Sequence, residues 1–121
     1  MSSPMEIREI VEETGAAAVL ALSGDLDLLA APDLYQRGAH AAEDRHNLIL
    51  EMSGVKFCDS SGFNALIRLR RRTEEAGGRL VLAAAPEQVR RLLALSGAEV
   101  LFRTTETLAE ARATVAASSP G

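Results

Sequence analysis

The sequence has 121 residues, with 13 Lys plus Arg against 17 Asp plus Glu and a formal net charge of -4. That length fits one compact domain, and folding buries roughly two-thirds of the surface of such a chain, so a core forms without disulfides. Hydrophobic residues at 47% and charged residues at 25% match globular usage; the single cysteine, Cys58, excludes an intrachain disulfide and a multi-cysteine zinc site, and acidic balance with 3% aromatics argues against a nucleic-acid surface.

The first residues, Met1 to Glu9, show no apolar stretch behind a positive start, so they do not read as a signal peptide. No run approaches the roughly 18 apolar residues of a membrane span. The expectation is a cytoplasmic protein that neither crosses a membrane nor binds nucleic acid.

Residues 5–11 and 17–22, joined through 12–15, read as two strands closing a hairpin with Gly15 in the turn. Leu20 and Leu22 alternate with Ala21, and the cluster Ser23, Gly24, Asp25 ends the strand in a loop. Pro32 and Asp33 open a helix with Leu34, Arg37, Gly38 and Ala41 on one face. Its small inward residues allow close packing. Residues 47–52 read as a short buried central strand and 55–59 as a connector. From Ser60 a helical pattern runs to about Ala76, closed by Gly77 and Gly78 where a left-handed cap is wanted.

Residues 79–83 form a second buried strand. Pro86 starts a helix with Val89, Leu92 and Leu93 inward, and Gly97 ends it. Val100, Leu101 and Phe102 read as the last strand. Thr107 with Glu110 fits a capping box for a helix carrying Leu108, Ala111 and Val115, and residues 116–121 fray. Strands alternating with helices predict an α/β domain spanning residues 1–121, its core about 5–117, with a mixed, mostly parallel sheet of about five strands and about four helices.

The informative stretch is Phe57, Cys58, Asp59, Ser60, Ser61, Gly62, Phe63, Asn64, which puts two hydroxyls where a strand's exit enters a helix. Four backbone N–H groups lack helical partners at such a start, and the helix dipole makes them partly positive. A phosphate on a serine there is therefore stabilised. The commoner reading of the same residues is that Asp59 or Ser60 is an ordinary N-cap.

Catalytic readings fit poorly. A nucleophile elbow needs a glycine where Cys58 stands. A triad base would have to be His40 or His46, on or just after the first helix. Gly54, Val55 and Lys56 lack phosphate-loop spacing, and Asp25 and Asp27 lack a second acidic cluster to hold a metal, reading instead as an acidic loop. The chain is expected not to be an enzyme, with no catalytic, metal or cofactor residue.

At about 100° per residue, Gly62, Ala65, Leu66, Leu69, Thr73 and Ala76 share the core-facing stripe of the helix after Ser60. Phe63 and Ile67 lie on a flank above the serine pair, beside Arg70 and Glu74. A protein-contact surface and packing against a neighbouring helix both fit that placement. Arg68, Arg70, Arg71 and Arg72 spread around the helix and read as a solvated face. Cys58 reads as a small buried residue.

Several motifs in order carry a family resemblance: Gly24, Asp25, Leu26 and Asp27 after the hairpin; Ala31 and Pro32 opening a helix; Phe57 to Gly62 at the second helix; Gly77 and Gly78 before a strand; and Pro86, Val89, Leu92, Ser96 and Gly97. Together they resemble the STAS domains of bacterial anti-sigma factor antagonists, over about residues 5–117. The resemblance implies partner switching in transcription regulation. The unphosphorylated antagonist binds an anti-sigma factor that is also a serine kinase with a histidine-kinase-like ATPase fold, and the sigma factor is freed. Phosphorylation of the antagonist switches it off, and a metal-dependent serine phosphatase restores it. By position the acceptor is Ser60, with Ser61 second, and the implied partner surface comprises Asp25, Asp27, Asp59, Ser61, Gly62, Phe63, Asn64 and Ile67. ATP and magnesium belong to the kinase, so no cofactor is implied for this chain. Family members commonly carry a small aliphatic residue and a second glycine where Phe63 and Asn64 stand. The alternative is a constitutive interaction or ligand-sensing module of the same fold, not controlled by phosphorylation.

Overall fold

The structure, a computed structural model, describes residues 3–11 and 15–118. Its five-stranded sheet has the order β1-β2-β3-β4-β5. β1 (Glu6–Ile10) pairs antiparallel with β2 (Ala18–Leu26), and β3 (Leu48–Cys58), β4 (Leu80–Ala83) and β5 (Arg103–Thr105) follow in parallel. The connections are α1 (Ala31–Arg45), α2 (Ser60–Glu75) and α3 (Glu87–Ser96), and α4 (Leu108–Ser118) closes the chain. This is the expected α/β mixed sheet with five strands and four helices among the described residues.

Alternation along the strands sorts the core into two layers, because successive side chains leave opposite faces of a strand. Leu20, Leu22, Leu48, Leu50, Leu80 and Leu82 pack on one face against Leu34 of α1, Leu66 and Leu69 of α2, and Val89 and Leu93 of α3. Val19, Ile49, Val81 and Ala83 point the other way and meet Ala111 and Val115 of α4. Both edges of the sheet are modest. β5 has three residues, and β1 exposes Glu6, Arg8 and Glu9.

Two strands run further than their sequences promise. β2 does not end at Ser23 but continues to Leu26, and residues 55–58 are strand rather than connector. Ser23 pairs with Gly54, Gly24 with Val55, Asp25 with Phe57 and Leu26 with Cys58, with register shifts that mark a β-bulge. The bulging lies in β3, which advances one residue more than β2 at each shift, while the turn-like Gly24 stays paired on β2 with φ 93°, a left-handed value that glycine adopts freely. The bulging also disturbs the alternation of β3, whose later buried positions are Met52, Val55 and Cys58.

The last strand is also displaced. Residues 98–100 form a 3-10 turn after Gly97, Val100 and Leu101 are exposed, Phe102 alone of that apolar run is buried, and β5 starts at Arg103. Arg37 is exposed, since the inward row of α1 is Leu34, Gly38, Ala41 and Ala42. The first residues assigned to the frayed tail are helical, with α4 reaching Ser118; residues 119–121 lie outside the described residues, as does the hairpin connection 12–14.

Other expectations hold in detail. Glu110 N–H donates to Thr107 Oγ1 at 3.1 Å while Thr107 N–H donates to Glu110 Oε1 at 3.1 Å, the reciprocal capping box. Gly77 follows α2 with φ 87°. The arginines of α2, however, are not merely solvated. Arg68 lies over the Tyr35 ring at 4.2 Å, Arg70 donates to Leu101 O at 2.7 Å and pairs with Glu74, and Arg72 pairs with Glu43. Long stems and a planar, multi-donor head let these side chains tie α2 to α1 and to the turn after α3.

Candidate functional site

The site is the start of α2 and the strand ends beneath it. Asp59, in extended backbone with φ -99° and ψ -173°, is the N-cap, and its Oδ1 accepts from Gly62 N–H at 3.0 Å. Its carbonyl accepts from Phe63 N–H at 2.9 Å. Of the four N–H groups that a helix start leaves without an intrahelical partner, that of Asp59 donates to Leu26 O and that of Gly62 to the Asp59 carboxylate, while those of Ser60 and Ser61 have no partner among the described residues. The ordinary capping role therefore falls to Asp59 and leaves both serine hydroxyls uncommitted to it. Ser60 is exposed and Ser61 half-buried.

Leu26 fixes where this turn sits. Asp59 N–H donates to Leu26 O at 3.2 Å, and Gly62 packs directly on Leu26. A Cβ at residue 62 would overlap the Leu26 carbonyl oxygen and lie 2.5 Å from Leu26 Cγ, so only glycine permits this approach. The β2 exit is thereby held beside α2. Asp25 stands opposite Phe57 in the register, and Asp27 immediately follows Leu26.

Asp25 and Asp27 therefore lie at the same end of the sheet as Ser60, and each carboxylate already has local partners. Asp25 Oδ2 accepts from Ser3 N–H at 2.9 Å while Asp25 N–H donates to Ser3 O at 2.7 Å. Asp27 Oδ1 accepts from the N–H groups of Leu29 and Ala30, both at 3.1 Å, and shapes the turn into α1. Both residues are half-buried. Asn64 is exposed, whereas Phe63 and Ile67 are half-buried and pack against the core, so the packing reading describes much of their surface.

Three further residues expose apolar side chains here, two of them, Leu28 and Leu29, unmarked by any sequence pattern and the third, Phe57, marked only as part of the motif at the second helix. Leu28 is 69% exposed, Leu29 88% and Phe57 48%. They flank the strand ends that carry Asp27 and Asp59, and give the serine turn an apolar rim. An adjacent leucine pair in a loop, away from any amphipathic period, is the signal that could have revealed them.

Cys58 is buried, and burial, with a smaller contribution from the neighbouring Asp59 charge, pushes its thiol up to about 12. It is a packing residue at neutral pH. His40 is exposed on α1, and His46 Nδ1 lies 2.8 Å from Ala76 O, at the far end of α2 and roughly 24 Å of helix from Ser60. His46 therefore supplies no base there. Among the described residues no group of three or more His, Cys, Asp or Glu is placed to hold a metal ion, and no helix is long and apolar enough to cross a membrane.

Fold and site define a small α/β domain that presents an exposed hydroxyl at the end of a parallel sheet. The chain belongs to the STAS-domain family: the family model described as "Mlab, STAS domain" matches residues 10–104. The anti-sigma-F factor antagonist RsfB of Mycobacterium tuberculosis is 31% identical over 115 residues, covering 92% of this chain and 91% of that protein. Among solved structures, an anti-sigma factor antagonist from Mycobacterium paratuberculosis superposes with a TM-score of 0.82 at 24% identity, covering 96% of this chain and 99% of that one. The unphosphorylated anti-sigma factor antagonist SpoIIAA gives a TM-score of 0.75 at 23% identity, covering 97% and 100%, and the phosphorylated form of the Bacillus protein shares the fold at 0.69, covering 91% and 99%.

Proposed function

We propose that this chain is an anti-sigma factor antagonist that binds its anti-sigma factor through the α2 start while Ser60 is unmodified, and is released when Ser60 is phosphorylated. The observation that carries the reading is the exposed Ser60 hydroxyl at a helix start whose cap is supplied by Asp59. The implied partner is an anti-sigma factor with serine kinase activity. Ser60 Oγ attacks the γ-phosphorus of kinase-bound ATP, the bond to ADP breaks, and the hydroxyl proton passes to a base on the kinase. A metal-dependent phosphatase restores the hydroxyl by hydrolysis: water attacks the phosphorus, the bond to Ser60 Oγ breaks, and inorganic phosphate leaves. The chain itself acts as a binding module rather than an enzyme, and it works in the cytoplasm.

Charge explains the release. Phosphorylation adds about -1.5 to -2 at neutral pH. The N–H groups of Ser60 and Ser61 favour that charge within the free chain, but Asp59 is already anionic beside it. A partner that had buried a neutral hydroxyl against the rim of Leu28, Leu29 and Phe57 would have to desolvate a dianion next to a carboxylate. Binding weakens without refolding, and the two forms of SpoIIAA, which share this fold, support such an economy of change.

The test is a titration against the partner identified by capture from native lysate and mass spectrometry. Ser60→Ala is expected to hold the partner in the presence of ATP and magnesium, whereas Ser60→Asp binds at least about tenfold more weakly, the order expected of a desolvated charge. Equal affinity of Ser60→Asp and wild type rejects the charge mechanism and leaves the constitutive module.

A further inference from the structure

We propose that Gln88, on α3, is a positioning residue for the Ser60 site, fixing the peptide from which the helix start is launched. The inference rests on the reading of Ser60 as phosphoacceptor, and it assigns α3 a part in that site.

β4 pairs with β3 only as far as Ala83 opposite Glu51, yet β3 continues to Cys58. Beyond Glu51 the side of β3 that β4 had covered has no strand partner. Gln88, in the first turn of α3, fills the last part of that gap. Its Oε1 accepts from Cys58 N–H at 2.9 Å and its Nε2 donates to Cys58 O at 2.9 Å. A primary amide offers a donor and an acceptor with the spacing of a peptide group, so it stands in for the missing strand. Other side chains of this length cannot do both: glutamate lacks the donor when ionised, and methionine lacks both.

The consequence passes to the next residue. The planar Cys58–Asp59 peptide has its carbonyl held by Gln88 Nε2 and its N–H held by Leu26 O at 3.2 Å. A rigid plane pinned at both polar ends, one from α3 and one from β2, fixes the direction in which Asp59 leaves the strand. Asp59 then reaches Gly62 N–H with its carboxylate, and Ser60 begins the helix. Without Gln88 the plane keeps one anchor, the Cys58 backbone opens to solvent, and the cap is held less firmly. The residue touches neither hydroxyl; it acts through Cys58 and Asp59.

The experiment is amide hydrogen exchange by NMR on wild type, Gln88→Glu and Gln88→Met, with urea denaturation to report global stability. Exchange at Cys58 and Asp59 is expected to rise about tenfold in Gln88→Met, as for loss of a hydrogen-bonded pair, while Ile49 and Val81 in the strand core stay as in wild type. Gln88→Glu retains the acceptor for Cys58 N–H, so its exchange falls between the two. A coupling across the hydrogen bond from the Cys58 amide nitrogen to the Gln88 carboxamide carbon, present in wild type, gives a direct signature. Unchanged exchange at Cys58 in Gln88→Met overturns the proposal, and so does a uniform rise across β3, which is mere loss of stability. A second arm measures phosphate transfer to Ser60 by the kinase recovered in the capture experiment. The rate is expected to drop at least about threefold in Gln88→Met at saturating protein, with global stability sufficient for full folding; an unchanged rate also overturns the positioning role. If wild type itself takes no phosphate, the switch reading fails, and the exchange data alone decide whether Gln88 positions the turn.

Discussion

Gly62→Ala pits two effects against each other at the candidate site. Alanine gains about 0.5–1 kcal/mol over glycine inside a helix. Against that, the new Cβ would overlap the Leu26 carbonyl oxygen and stand 2.5 Å from Leu26 Cγ and 3.0 Å from Leu26 C. Ordinary carbon contacts need at least about 3.5 Å, so α2 or the end of β2 must move by about 1 Å. Leu26 is fully buried and its carbonyl is engaged by Asp59, so neither can swing aside as an exposed side chain would. Forced repacking costs about 1–3 kcal/mol, and a clash with buried backbone that cannot swing aside falls in the upper part of that range, about 2–3 kcal/mol, so that after a helix gain of about 1 kcal/mol a net loss of about 1–2 kcal/mol remains. For a chain of 121 residues the unfolding entropy is about 0.25 kcal/mol per kelvin, so the midpoint falls by roughly 4–8 °C. Thermal unfolding followed by circular dichroism measures it. A midpoint at or above wild type would mean that helix propensity wins and that the close approach of α2 to Leu26 is not a real constraint.

Asp59→Ala removes the cap and should cost about 1 kcal/mol by urea denaturation, whereas Asp59→Asn, which can still accept from Gly62 N–H, should stay within a few tenths. A gap that fails to open between the two variants would show that charge rather than capping gives Asp59 its value. Leu29→Ser should leave stability within about 0.5 kcal/mol, because the side chain is 88% exposed, yet reduce retention of the captured partner. Cys58 should resist a disulfide-exchange reagent at pH 8 in native protein and react once urea unfolds it. Its folded value, near 12, lies above the ordinary 9.0, so the unfolded chain releases the thiol proton first and stability falls as pH rises from about 9 towards 12. An absence of that decline in a comparison of wild type with Cys58→Ser would remove the contribution.

Local signals in this chain are faithful, and non-local ones are not. The α2 start, the capping box of Thr107 and Glu110, and the end of α2 at Gly77 depend on a few neighbouring residues, and the sequence displays them. The serine pair belongs to this group, since a polar cluster before a helical stripe is legible without any fold. The run of β2 to Leu26 is not, because Ser23, Gly24 and Asp25 look like a turn until β3 lies beside them and pairs them as strand. Val100 and Leu101 carry strand-forming side chains but fall in a turn imposed by Gly97. Three of the four arginines of α2, Arg68, Arg70 and Arg72, each answer a different neighbour, Tyr35, Leu101 and Glu43, that no period along α2 announces. Gln88 is illegible for the plainest reason, lying 30 residues from Cys58 on another element.

The edges of the sheet bear on how such a domain keeps company. An unpaired strand edge is a template for another chain, and long apolar edges recruit partners indiscriminately. β5 is too short to guide a second strand, and β1 meets any newcomer with Glu6, Arg8 and Glu9 in solvent. Strand addition, and the aggregation that follows from it, is thereby discouraged on both flanks. On the proposed reading, recognition is left to the helix end, where the Ser60 hydroxyl would separate two states of association.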